Sequence, residues 1–308
     1  MSPLRQALAD YLTIRRATGY KFERPERLLT QFIDYLEKAQ ATTVTTEHAL
    51  AWAMLPAGER RSWWAARLTV VRGFAAYLAT IDPAAEVPPA DLLGSRRRRV
   101  TPYLYCEADI TALLAATADI RSPLRAVTSR TLLGLLAVTG LRVTEAVRLD
   151  RGDLDAQLEL LVVRYGKLGK SRQLSLHPTT VQALSGYLAQ RDRLHPQPDT
   201  PAMFISTAGT RLCYPNVSET FRQLADRAGL RPRSASCRPR LHDLRHTFAV
   251  NTMLDAYRSG VDVQARLPLL STYLGHVDPE ATYWYLSAAP ELLALAGQRL
   301  EDNLGSRS

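Results

Sequence analysis

The segment TGLRVTE, residues 139–145, joins two predicted helices. A long apolar stretch ends at Gly140, because glycine readily takes the left-handed conformation that closes a helix. The next helix begins with Arg142, although positive charge is unfavourable at a helix N-terminus. We therefore expect Arg142 to have an anionic partner. The simpler candidate is Glu145, three residues further along, and the other is a phosphate group, whose oxygens suit a guanidinium fork.

Two further polar clusters lie toward the C-terminus. In the segment HDLRH the helical spacing places His242 and Arg245 on one face, so that two hydrogen-bond donors point the same way. The segment LGH ends at His276, and Tyr285 follows nine residues later in an aromatic run. Taken singly, a helical histidine is more often structural than functional, and a tyrosine among aromatic residues usually belongs to a core.

A β-hairpin with a basic tip is predicted upstream of these clusters. Residues 158–165 and 172–177 are rich in strand-forming side chains, and the intervening residues 166–171 read GKLGKS. The tip therefore presents two lysines, Lys167 and Lys170, that can contact an anion.

In this order the motifs resemble the tyrosine recombinases, or phage integrase family. The resemblance covers most of residues 100–290. It rests on an arginine after a Thr-Gly-Leu turn, a hairpin lysine, a His-x-x-Arg pair, a Leu-Gly-His motif and a tyrosine nine residues later. Each motif alone is weak evidence, whereas six matches in the family's order are specific. The matching positions are Arg142, Lys167, His242, Arg245, His276 and Tyr285.

The resemblance implies that these residues break and rejoin a phosphodiester bond without metal, ATP or any cofactor. Tyr285 would attack the scissile phosphate and form a 3′-phosphotyrosyl link. Arg142 and Arg245 would hold the non-bridging oxygens, where charge builds up in the transition state. Lys167 would protonate the leaving 5′ oxygen.

The histidines are assigned supporting chemistry by the same resemblance. His242 would help to remove the proton of Tyr285, because a tyrosine with its ordinary pKa near 10 is mostly neutral at pH 7. His276 would donate a hydrogen bond to a phosphate oxygen. Asp243 and Glu145 are expected to support the site rather than to react.

Two positions in the proposed site have a competitor nearby. Lys167 is preferred to Lys170 because it follows Gly166, as the hairpin lysine of the family does, and Lys170 is then a contact to the DNA backbone. Tyr283 is the competing nucleophile, but the spacing from the Leu-Gly-His motif favours Tyr285.

The charge of the chain is unevenly distributed. Its 308 residues hold 39 lysines and arginines against 30 aspartates and glutamates, which gives a net charge of +9. Residues 1–95 hold 11 basic and 10 acidic side chains, whereas the remainder holds 28 basic and 20 acidic ones. The surplus favours a polyanionic partner, and with the motifs it indicates double-stranded DNA.

A linker is expected over residues 87–102, where prolines and a run of arginines exclude a regular element. Before it, helical patterns follow Ser2 and Pro25 and recur over residues 47–55 and 62–80, which predicts four helices. Arginines of the last helix, Arg67 and Arg72 among them, could contact DNA beside Trp63 and Trp64, although an aromatic residue at helical spacing more often belongs to the core. The linker arginines are candidate DNA-backbone contacts: Arg96, Arg97, Arg98 and Arg99.

The expected fold is mainly α with a small β-sheet. Residues 1–86 resemble the family's helical, SAM-like core-binding domain, and residues 103–308 its α+β catalytic domain. An amphipathic helix is predicted over residues 290–303. In the family such a helix commonly inserts into a neighbouring subunit, so the resemblance implies a homo-oligomer, a tetramer on two DNA duplexes with C-terminal helix exchange.

Several classes of protein are excluded by composition. No apolar stretch approaches the roughly 18 residues of a membrane span, and the N-terminus carries no apolar signal core. Three widely spaced cysteines, odd in number, fit a reduced compartment and provide no paired metal-ligand spacing. A cytoplasmic, nucleoid-associated protein without a membrane or metal partner is expected.

The biological role is less constrained than the chemistry. Between Gly260 and His276 the chain is longer than the simple Xer-like pattern by a helical turn or loop, which resembles transposon- or integron-borne recombinases. The resemblance implies a site-specific recombinase or integrase that acts through a Holliday junction. The alternatives are a relaxing enzyme like the type IB topoisomerases, and a non-catalytic DNA-binding protein of the same fold.

Overall fold

A computed structural model of the chain describes residues 2–19, 22–55, 57–93, 101–164, 171–275 and 294. The chain divides into two compact units, Met1–Arg99 and Val100–Ser308. None of the helices in the described ranges combines the length and apolarity that crossing a bilayer requires. The predicted domain bounds of 1–86 and 103–308 stay predictions, because the arginine run between the units lies outside the described residues.

Four helices form the first unit, as predicted. They are α1 (Pro3–Ala17), α2 (Glu23–Lys38), α3 (Thr46–Met54) and α4 (Arg61–Leu78). The Ser2 hydroxyl accepts a hydrogen bond from the Arg5 amide at 3.3 Å and so caps α1. The apolar stripes meet in one core in which Phe32 and Phe74 are fully buried.

Two arginines that were candidates for DNA contacts have structural roles in this unit. The Arg67 guanidinium is buried, donates to the Trp52 carbonyl at 2.9 Å, and lies 3.7 Å from the centre of the Trp52 ring. Arg72 donates to the carbonyls of Pro88 and Pro89 at 2.7 and 2.8 Å. The interpretation of Arg67 as a DNA contact is wrong, because a desolvated cation over an indole ring is a core contact.

The second unit is mainly helical, and α6 packs against both α8 and α10. Its helices are α5 (Glu107–Ala115), α6 (Pro123–Thr139), α7 (Val143–Ala146), α8 (Pro178–Leu194), α9 (Tyr214–Arg227), α10 (Asp243–Arg258) and α11 (Val263–Leu274). Short 3-10 turns span Ala116–Asp119 and Arg151–Asp153. The predicted fold class, mainly α with a small sheet, is confirmed.

A three-stranded antiparallel sheet contains the predicted hairpin. Strands β1 (Leu154–Asp155), β2 (Leu160–Val163) and β3 (Arg172–Ser175) pair in the order β1-β2-β3. Val163 lies opposite Arg172, so the strands lead into a tip whose residues 165–170 lie outside the described part. The hairpin prediction is confirmed for the strands, whereas β1 was missed because two residues carry no alternating pattern.

The segment that precedes the Leu-Gly-His motif is helical. Asp262 caps α11 by accepting hydrogen bonds from the amides of Gln264 and Ala265 at 2.8 and 3.3 Å. Pro268 lies within the helix, although a proline in a helix interior removes one backbone hydrogen bond. The extra length seen in the sequence is therefore part of a helix. The helix predicted over residues 290–303 lies outside the described residues, apart from the single position 294.

Candidate active site

The turn between α6 and α7 places Arg142. Gly140 ends α6 with φ of +60°, and a Cβ atom at this position would lie 2.5 Å from Cδ1 of Phe248. The carboxylate of Glu145 then accepts hydrogen bonds from the Arg142 amide at 3.1 Å and from its guanidinium at 2.8 Å. The ion pair expected from the sequence is therefore present, and it fixes the first arginine of the family pattern.

We expect Gly140→Ala to destabilise this turn by about 2–3 kcal/mol in the free energy of unfolding. The left-handed backbone costs an alanine roughly 1–2 kcal/mol, and the Phe248 ring must shift to admit the methyl group. Urea unfolding measures the loss. Gly134→Ala is the matched control, because Gly134 lies within α6 and its Cβ would meet nothing within 4 Å. Equal stabilities of the two variants would contradict the prediction.

Arg245 connects the other two motifs. Its side chain is 1% exposed, and its two terminal nitrogens donate to the carbonyls of Gly140 at 2.8 Å and Leu274 at 2.7 Å. The Arg142 guanidinium donates to the carbonyls of Leu274 at 3.5 Å and Gly275 at 3.2 Å. Both arginines thus contact the turn that ends α11, immediately before the histidine of the Leu-Gly-His motif.

His242 precedes α10 in the same region. The ring keeps solvent-exposed surface and makes an edge contact with the His246 ring, with 5.0 Å between ring centres. Desolvation by the surrounding protein, with positive charge at His246, Arg245 and Arg142, lowers the pKa of His242 to about 4. The imidazole is therefore neutral at pH 7.

Asp243 holds the start of α10 in place. The buried carboxylate accepts hydrogen bonds from Arg240 at 2.8 and 3.0 Å, from the His246 ring at 2.9 Å and from the Tyr103 amide at 3.2 Å. Burial opposes its ionisation, but the hydrogen bonds of His246 and Arg240 lower the pKa of Asp243 below its ordinary value. One carboxylate thereby ties the segment entering this unit to the helix that carries Arg245.

A second arginine pairs with Glu145, and no local sequence pattern indicates this pairing. Arg172, at the start of β3, pairs with the Glu145 carboxylate at 2.9 Å and donates to the Tyr273 carbonyl at 2.8 Å. The one signal in the sequence is a charged residue at the first position of the second hairpin strand. Its partner lies 27 residues away, which local spacing cannot indicate.

The described residues contain three of the six matched positions, and these three share one region. Arg142 and Arg245 contact the same carbonyl, and the charges of both act on His242. The remaining candidates lie outside the described residues: Lys167, His276 and Tyr285, with the competitors Lys170 and Tyr283, and the linker residues Arg96, Arg97, Arg98 and Arg99.

Known proteins are similar to this chain over most of its length. The family model described as the phage integrase family matches residues 106–291. A protein named as an integrase/recombinase, y4rB of Sinorhizobium fredii, is 43% identical over 98% of this chain and 98% of its own length. The tyrosine recombinase XerC of Chlamydia trachomatis serovar L2 is 30% identical over 73% of this chain and 67% of its own length.

Among solved structures, the Tn1549 transposon integrase in complex with transposon right-end DNA superposes with a TM-score of 0.64. The match covers 96% of this chain and 98% of the integrase at 17% identity, so it concerns the fold. The family model covers more than half of the chain, and the relative y4rB extends the similarity over nearly all of it. The chain therefore belongs to the phage integrase family, the tyrosine site-specific recombinases.

Proposed function

We propose that the chain cuts, exchanges and rejoins DNA strands at specific sites through a tyrosine–DNA intermediate. The observation that carries the proposal is the meeting of Arg142 and Arg245 at the carbonyl of Leu274. Two guanidiniums that meet at one backbone carbonyl concentrate positive charge suited to stabilising one phosphate group. The sequence places a candidate nucleophile, Tyr285, shortly after that carbonyl.

In the proposed reaction the phenol oxygen of Tyr285 attacks phosphorus, and the bond from phosphorus to the 5′ oxygen breaks. His242 takes the phenol proton as the bond to phosphorus forms. Lys167 gives a proton to the departing 5′ oxygen. Arg142 and Arg245, with His276, hold the non-bridging oxygens as negative charge accumulates. Attack by a 5′ hydroxyl of the second duplex reverses these steps and rejoins the strands.

The proposed substrate is a pair of DNA duplexes held by a tetramer, with strands exchanged through a Holliday junction. Among the solved relatives of similar fold is a lambda integrase tetramer bound to a Holliday junction. We propose that residues 290–303 dock on a neighbouring subunit. The linker arginines and Lys170 would contact the DNA backbone, which a basic surplus favours.

Strand exchange between two labelled duplexes tests this function. Covalent cleavage positions are first mapped on the DNA that flanks the gene, because recombinases of mobile elements act on the DNA that carries them. Two duplexes with the mapped site and different labels are then incubated with the protein. We expect hybrid products and a Holliday junction intermediate. Relaxation of supercoiled DNA without hybrid products would indicate a topoisomerase-like enzyme, and binding without an adduct a non-catalytic protein.

A further inference from the structure

The Glu145 carboxylate is a junction between three elements of the second unit. It is 6% exposed and accepts four hydrogen bonds. Two come from the amide and the guanidinium of Arg142, and two from the guanidinium of Arg172 at 3.2 and 2.9 Å. A carboxylate has about four acceptor positions. Glu145 is therefore saturated by the two arginines, which meet on its oxygen Oε1.

Arg172 also contacts the end of α11. Its side chain is 15% exposed, and its Nε donates to the Tyr273 carbonyl at 2.8 Å. Gly275 follows two residues later with φ of +68°, and a Cβ atom there would lie 2.8 Å from the Arg172 guanidinium. Strand β3, helix α7 and the end of α11 are thus joined through one planar guanidinium.

The charge of this group depends on Arg172. Two guanidiniums and one carboxylate leave a net charge of one positive, whereas Arg142 and Glu145 alone are neutral as a pair. Burial opposes the charged form of Glu145, but the hydrogen bonds and charge of Arg172, with those of Arg142, lower its pKa to about 2. The carboxylate is therefore ionised at neutral pH, and the net charge of the group depends on which arginines accompany it.

We infer that Arg172 is a positioning residue for strand cleavage. It binds the Glu145 carboxylate, so that Arg142 keeps its orientation and its positive charge for the scissile phosphate. Without Arg172 the buried carboxylate neutralises Arg142 and draws its donors away from the phosphate. The inference rests on the proposed function, because it presumes that Arg142 acts on the scissile phosphate.

A comparison of two substrates tests the inference. One is a suicide duplex with the mapped cleavage site, and the other carries a methylphosphonate there, which replaces a charged non-bridging oxygen by a methyl group. We expect R172Q to bind the duplex but to cleave the phosphate about 100-fold more slowly, the size of losing one transition-state donor. R172Q is expected to cleave the methylphosphonate less than about tenfold more slowly than the wild type does, because this substrate requires less positive charge.

A second substitution makes the test specific to Glu145. Removing the carboxylate as well, in E145Q/R172Q, leaves Arg142 charged, so this double variant is expected to cleave the phosphate about tenfold faster than R172Q. R211Q is the matched control, because Arg211 also pairs with a carboxylate, that of Asp150, and donates to the carbonyls of Val147 and Leu149. For R211Q, the ratio of the cleavage rate on the phosphate substrate to that on the methylphosphonate substrate is expected to equal the ratio for the wild type.

Three results would overturn the inference: unchanged cleavage by R172Q, equal slowing on both substrates, or a double variant as slow as R172Q. If R172Q does not fold, R172M replaces it, because methionine is uncharged and also lacks the fork that spans both carboxylate oxygens. The proposed function fails separately, through absence of an adduct with the wild type or normal cleavage by R142A.

Discussion

Replacing Tyr285 with phenylalanine is expected to abolish the covalent protein–DNA adduct and to leave binding to the DNA site within about twofold. The substitution removes only the phenol oxygen, which is the attacking atom in the proposed reaction. Binding depends on contacts with the phosphate backbone and base edges, and one hydroxyl among them contributes little. A suicide substrate traps the adduct, and a mobility shift at fixed salt concentration measures binding.

Tyr283→Phe is the matched control for this prediction. It removes the same atom from the same aromatic run, two residues earlier. We expect this variant to keep adduct formation within a few-fold of the wild type. An adduct that persists in Tyr285→Phe and vanishes in Tyr283→Phe would reverse the assignment of the nucleophile. Loss in both variants would indicate that the run is needed for folding, which the mobility shift detects.

Local pattern was sufficient for much of the fold. The four helices of the first unit carry apolar stripes at helical spacing, and Ser2 is the kind of residue that caps a helix. The hairpin strands were recognisable because β-rich runs flank a glycine-containing turn. Helix α11 was less evident, because Pro268 interrupts a pattern that Asp262 and the packed apolar face still support.

The sequence proposes which residues form the site, but it does not indicate the contacts between them. Motif order and spacing identified Arg142 and Arg245, and the local ion pair with Glu145 followed from helical spacing. The contacts of Arg245 with two carbonyls, 105 and 29 residues away, depend on how α6, α10 and α11 pack. Arg172 was not predicted as a site residue for the same reason, because the sequence around a single basic residue in a strand does not indicate which carboxylate it pairs with.

The substitution Arg245→Lys is expected to lower both stability and cleavage, although it preserves the charge. Lysine carries one ammonium group and cannot donate along two fixed directions, so it cannot reproduce the bonds to Gly140 and Leu274. One buried carbonyl is left without its donor, which costs about 1–3 kcal/mol of unfolding free energy. Urea unfolding measures this loss of unfolding free energy independently of the cleavage reaction.

The catalytic loss is expected to be larger than the loss of stability explains. In a single-turnover assay at saturating protein, cleavage by Arg245→Lys should fall about 100- to 1,000-fold, because a planar fork that stabilises the transition-state phosphate is gone. Arg222→Lys is the matched control, since Arg222 is an exposed residue paired only with Glu219 on its own helix among the described contacts. Normal cleavage by folded Arg245→Lys would show that Arg245 only holds the α6 and α11 turns together. A selective loss in the folded, DNA-bound variant would mean that one arginine serves both purposes: its backbone contacts fix the guanidinium at the place where the phosphate has to be bound.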